Sequence, residues 1–68
     1  MSIAKVIEVI AEGDSIENAV DNALSEAAKT VHGISGVWVQ DIKGLVEDNK
    51  VTTYRVNVKI TFVLKDDM

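Results

Sequence analysis

At 68 residues the chain has room for one domain, spanning residues 1–68, and a domain of this size buries only roughly 60% of its unfolded surface, so that a lone core is marginal and a staple or a partner is needed. The absence of Cys and the single His exclude disulfides and thiolate metal sites and leave too few nitrogen and sulfur ligands for an ordinary zinc site. A net charge of −4, a pI of about 4.7 and basic residues scattered as Lys5, Lys29, Lys43, Lys50, Arg55, Lys59 and Lys65 argue against nucleic-acid binding.

Residues 3–11 are largely β-branched and run to a turn signal at Glu12-Gly13-Asp14, which predicts a first strand. A helix is predicted over residues 14–32. Asp14 with Glu17 has capping-box spacing, and Ser15 is the alternative cap. Ile16, Ala19, Val20, Ala23, Leu24, Ala27 and Val31 follow the three-and-four spacing of one helical face. Acidic residues come early and Lys29 late, as the helix dipole favours. Gly33 is placed to stop the helix, with His32 as a cationic partner at its end. The small residues of the apolar stripe suit a helix lying close on a sheet.

A second strand is predicted over residues 35–46. Val37, Val39 and Asp41 have one parity and Trp38, Gln40 and Ile42 the other, with Gly44 as a bulge or bend. The polar run Glu47-Asp48-Asn49-Lys50 reads as a turn. Over residues 51–65, Tyr54, Val56, Val58, Ile60, Phe62 and Leu64 alternate with Thr53, Arg55, Asn57, Lys59, Thr61 and Lys65, the clearest strand signal in the chain.

The order is therefore β-α-β-β, an α+β chain in which one helix covers one face of a three-stranded sheet. The other face, carrying Arg55, Asn57, Lys59 and Thr61 with Trp38 and Gln40 beside them, must meet solvent, a ligand or another copy. The 47% hydrophobic fraction and mean hydropathy of +0.14 exceed what so small a core can hide and point to a homo-oligomer. No apolar run reaches the ~18 residues of a membrane span. Met1-Ser2-Ile3-Ala4-Lys5 lacks a signal-peptide h-region, and a cytoplasmic location is expected.

Four segments together resemble the dodecin family: Lys5-Val6-Ile7-Glu8, the helix end Ala27-Ala28-Lys29-Thr30-Val31, the strand Val39-Gln40-Asp41-Ile42-Lys43-Gly44, and Tyr54-Arg55-Val56 through Phe62-Val63-Leu64. The resemblance implies a three-stranded antiparallel sheet curled around one helix and a hollow homododecamer of cubic 23 symmetry. It also implies flavin binding (riboflavin, FMN or FAD) in pairs across subunit contacts, for storage or sequestration. The position of the family's flavin-stacking Trp is Gly36 here. Trp38 lies two residues on, on the same face, displaced by about 7 Å. The position of the family's flavin-reading Gln is Arg55. An arginine has donors only, so it can serve a flavin carbonyl but cannot accept from the ring N–H. Asp41 matches an acidic position near the ribityl chain. The cofactor-binding candidates are thus Gly36, Trp38, Gln40, Asp41 and Arg55.

Three of them also have a plainer role: Trp38 as an interface aromatic, Arg55 as an ion-pair partner of Asp41 or of a neighbour's carboxylate, Gln40 as a solvated or interface polar residue. The carboxylates Glu12-Asp14-Glu17 and Glu47-Asp48 read as solvated turns. They lack the spacing of a calcium loop, although symmetry could gather carboxylates from several copies. The alternative to a flavin store is therefore a calcium- or metal-binding, or purely structural, cage. No nucleophile-and-base set is visible, and an enzyme is not expected. The expected partners are further copies of the chain and a small molecule, without nucleic acid or membrane.

Overall fold

A computed structural model describes residues 2–65. Its elements are β1 (Ser2–Gly13), α1 (Ile16–Ala27), β2 (Ile34–Glu47) and β3 (Lys50–Lys65). They form one antiparallel sheet of order β1-β3-β2, with the most regularly alternating strand in the middle. β2 and β3 are joined by a two-residue turn in which Asp48 and Asn49 both have positive φ, 52° and 66°. Such a turn matches the twist of the strands it joins, and Asx residues tolerate the left-handed conformation.

The core lies where α1 meets the sheet. Ala19, Ala23 and Ala27, spaced by four, are buried against Val56, Val58 and Ile60 of β3. Alanine keeps the helix close to the pleated surface, and the β-branched side chains opposite fill the space. The approach is tightest at Gly13, where a Cβ would come 2.6 Å from the Ala19 backbone nitrogen. A glycine is needed there for closeness, because the helix begins directly above the strand end.

The helix is shorter than the predicted residues 14–32. Ser15, not Asp14, is its N-cap: Ser15 Oγ accepts from Asn18 N–H at 3.0 Å, and the Asn18 side chain accepts from Asp14 N–H at 3.0 Å. The exchange uses Ser15 and Asn18, and Glu17 takes no part. At the other end regular helical bonding gives way to a mixed turn: Lys29 N–H donates to the Glu26 carbonyl and Thr30 N–H to the Ala27 carbonyl, three residues back, while Val31 N–H also reaches the Ala27 carbonyl at 2.9 Å. β-Branched Thr30 and Val31 follow, poor continuations of a helix. His32 and Gly33 therefore stand beyond the helix and do not serve its end. Gly33 has φ +78° and presents its carbonyl to Val63 N–H at 2.9 Å, which ties the connection to β3.

β2 departs from simple alternation. The register with β3 slips between Ile34 and Gly36, between Val39 and Asp41, and between Leu45 and Val46. Gln40 is the extra residue of the middle slip. Beyond it the parity reverses, so that Asp41 shares a face with Trp38, and Ile42 with Val37 and Val39; the parity grouping read from the sequence is corrected accordingly. Gly44 stays in register opposite Tyr54 and is not itself the bulge.

α1 packs on β1 and β3 and barely reaches β2. Apolar side chains of β2 remain open to solvent in the single chain: Val37, Trp38, Ile42 and Val46, with Ile10 and Val6 exposed on β1. The accessible surface is 5036 Å², against about 4,200 Å² for a compact monomer of this mass. The radius of gyration is 14.3 Å, against about 11 Å for a compact chain of this length. The long β2–β3 hairpin reaches past the helix, and part of its apolar surface is exposed. No helix among the described residues is long and apolar enough to cross a membrane.

Candidate functional site

The sheet face turned away from α1 is laid out by the strand register, one row of cross-strand neighbours after another. Gly36, Thr61 and Val6 form the first row, and Trp38, Lys59 and Glu8 the second. Asp41, Asn57 and Ile10 form the third, and Lys43, Arg55 and Glu12 the fourth. Neighbouring strands are ~4.8 Å apart and successive rows ~6.6 Å apart along the strands. Four of the five residues singled out from the sequence lie on this face: Gly36, Trp38, Asp41 and Arg55. Gln40 sits in the bulge and has no partner in the β3 register.

Trp38 is 65% exposed, a large indole left bare on an open sheet. Lys59, its neighbour on β3, holds its Nζ 5.8 Å from the ring centroid, within cation–π range. Gly36, one row away, has nothing within 4 Å of where a Cβ would stand. Open space thus lies one row from the indole on the same strand. Asp41 follows in the third row, beside Asn57, whose Oδ1 is buried without a hydrogen-bond partner among the described residues. Arg55 stands two rows beyond Trp38, roughly 13 Å along the sheet.

Arg55 does not pair with Asp41. Its Nε and Nη2 donate to Glu12 Oε2 at 2.8 and 2.6 Å. Glu12 is held in turn from below, its carbonyl accepting from Asn22 Nδ2 at 2.9 Å. The sequence reading puts Lys59 on the open face and takes Glu12 as part of a solvated turn, and pairs neither across the strands. The signal was present all the same. Glu8 and Glu12 are four apart on β1, Lys59 and Arg55 four apart on β3, and an antiparallel register aligns the two pairs. Opposite charges facing across strands support such a register.

Among the described residues of one chain, no three of His, Cys, Asp and Glu gather where they could hold a metal ion. The described residues also form a separate groove between the α1–β2 connection and the end of β3, lined by Val31, His32, Phe62 and Leu64 among others.

The family model for dodecin matches residues 3–65 of the chain. Among solved structures, a variant of the dodecin from T. thermophilus is 25% identical with a TM-score of 0.89, over 97% of this chain and 100% of that one. The dodecin from Streptomyces coelicolor is 28% identical with a TM-score of 0.86, over 97% of this chain and 96% of that one. The dodecin from Streptomyces davaonensis, 20% identical with a TM-score of 0.86 over 96% and 97% of the two chains, speaks for the fold. No curated protein sequence matches the chain.

Proposed function

Because the chain belongs to the dodecin family, we propose that it is a binding and storage subunit for a flavin of the riboflavin or FMN type, acting as one of twelve copies in a hollow, cytoplasmic assembly and not as an enzyme. The observation that carries the reading is Trp38, 65% exposed on the uncovered sheet face beside the open position at Gly36. A bare indole is a stacking platform for a planar, electron-poor ring, and aromatic stacking is worth about 0.5–1.5 kcal/mol beyond the area it buries. Gly36 leaves room for a ring to slide past Trp38. Asp41, in the third row on the same strand, supplies an acceptor for ligand hydroxyls, and Gln40 a second polar contact at the bulge.

Self-association is supported by the uncovered apolar side chains of β2 and by the surplus of accessible surface over a compact monomer. When bound, a flavin would supply its own redox chemistry; the chain contributes stacking, hydrogen bonds and exclusion of water.

The test is fluorescence titration of the ligand-free assembly with riboflavin and with flavin mononucleotide. Saturable quenching of both the flavin and Trp38, which is the chain's only Trp, is the expected result. Absence of quenching at flavin concentrations up to the millimolar range would overturn the reading.

A further inference from the structure

The open sheet face grades from an uncharged end to a charged one. Ala4 and Val63 pair across β1 and β3, and the next row holds Val6, Thr61 and Gly36; none of these residues carries a charge. The row at the other end, Lys43, Arg55 and Glu12, is charged throughout. Large apolar side chains stand bare on the face, one in each of the first three rows: Val6, Trp38 and Ile10, exposed by 56%, 65% and 65%. Charged residues are depleted from the core of protein contacts and accepted at the rim, so the uncharged end is where a partner fits.

At this end the bulkiest residue and the smallest are neighbours. Trp38 and Gly36 lie on one strand, one row or ~6.6 Å apart. Nothing comes within 4 Å of where a Cβ at Gly36 would stand. Sheets packed face to face are ~10 Å apart, a gap that two ordinary side chains share. An indole takes up most of it and is best faced by a residue with no side chain. This chain carries both halves of that fit. A two-fold axis running across the strands, midway between the two rows, sets each half into the other. The same axis turns Ile10 of one copy toward Ala4 and Val63 of the other. It sets no charged residue against its own counterpart, and the row of Lys43, Arg55 and Glu12 falls at the rim.

We propose that the open face is a two-fold contact between copies of this chain, in which Trp38 of each copy seats in the notch over Gly36 of the other. The occupant is a second copy because knob and notch are both the chain's own and are reciprocal. The contact needs no ligand and does not rest on the flavin reading; a flavin ring entering the notch takes the place of the second copy's indole.

The experiment uses the ligand-free assembly and the fluorescence of Trp38, the chain's only Trp. Its emission should be blue-shifted, and acrylamide should quench it several-fold less than in the urea-unfolded chain. Gly36→Leu fills the notch at a position with room for a side chain within the single chain. Circular dichroism should then report an intact sheet, while emission moves to the red, quenching rises and the mass by light scattering falls. Gly36→Trp alone should lower the mass in the same way. Combined with Trp38→Gly, which exchanges knob and notch, it should restore the mass. If acrylamide quenches the natural assembly as freely as the unfolded chain, the proposal is overturned, and flavin binding is decided separately by its own titration. Protection of Trp38 that survives Gly36→Leu overturns it too, since something other than the notch then covers the indole. An exchanged pair that fails to assemble overturns the reciprocal fit.

Discussion

The ammonium of Lys59 lies 5.8 Å from the ring centroid of Trp38, across the β2–β3 pairing. Glu8 stands opposite Lys59 on β1, yet the described residues show no ion pair between them. The lysine rests on the indole instead. A ligand stacking on that ring face must first displace the cation, at a cost of ~0.5–1 kcal/mol for an exposed cation–π contact. Lys59→Met is therefore expected to tighten flavin binding by about two- to five-fold, read as the midpoint of a quenching titration. Trp38→Ala should abolish the binding. If Lys59→Met weakens binding instead, Lys59 touches the ligand and does not compete with it.

The helix start tests the capping assignment. Asp14 and Ser15 are both good N-caps by residue type, and the spacing to Glu17 favours Asp14 on paper. The chain uses Ser15 because its hydroxyl reaches Asn18 N–H while Asn18 returns a bond to Asp14 N–H. Ser15→Ala should cost about 1 kcal/mol of stability, and Asp14→Ala only a few tenths, since its side chain does no capping and a surface substitution is usually within ~0.5 kcal/mol. Denaturant midpoints of the two variants decide it. A larger loss for Asp14→Ala would reverse the assignment.

Gly13 gives a sharper test of how the helix sits. A methyl group there would meet Ala19 N at 2.6 Å and Ala19 Cα at 2.8 Å, both backbone atoms. The Asn18 side chain, whose Oδ1 would stand 2.5 Å away, can yield, but the Ala19 backbone cannot, so α1 must lift from β1. Gly13→Ala is expected to lose roughly 1–3 kcal/mol, the range for an overpacked contact. Unchanged thermal stability would mean that the helix has room to move.

These residues mark where the sequence is legible and where it is not. β3 reads directly, because strict alternation from Tyr54 to Leu64 admits one period only, and the register bears it out: Val56, Val58 and Ile60 are buried. The alanine face of α1 is equally plain. β2 is not, since the extra residue at Gln40 reverses the parity of everything after it, and no residue type announces a bulge. Simple alternation accordingly groups Asp41 with Val37 and Val39, whereas the register sets it beside Trp38. The helix end was overextended because apolar Val31 keeps the spacing although hydrogen bonding changes after Ala27. At the site, Gly36 and Trp38 could be put on one face by counting residues. The pairing of Arg55 with Glu12 needed the β1–β3 register, which aligns residues 43 apart in the chain.

The last prediction concerns what covers β2. Ile42 shares a face with Val37 and Val39 but lies beyond the reach of α1, and it is 51% exposed. In an isolated chain Ile42→Asp would replace one solvated side chain by another and alter stability by no more than ~0.5 kcal/mol. In an assembly that buries this strip, the same change places an uncompensated charge in an apolar contact, a loss of several kcal/mol at every copy of the interface. The expected outcome is a collapse of the mass measured by light scattering from a large homo-oligomer to small species. Circular dichroism would then report whether the freed chains keep their sheet. Because the chain has more accessible surface than a compact monomer, partial unfolding after dissociation is expected, with a lower thermal midpoint at lower protein concentration. A full-sized assembly carrying Asp at position 42 would mean that the helix-side strip of β2 faces solvent. The contacts would then have to run through other exposed apolar residues, among them Ile10, Val6 and Trp38 on the open face.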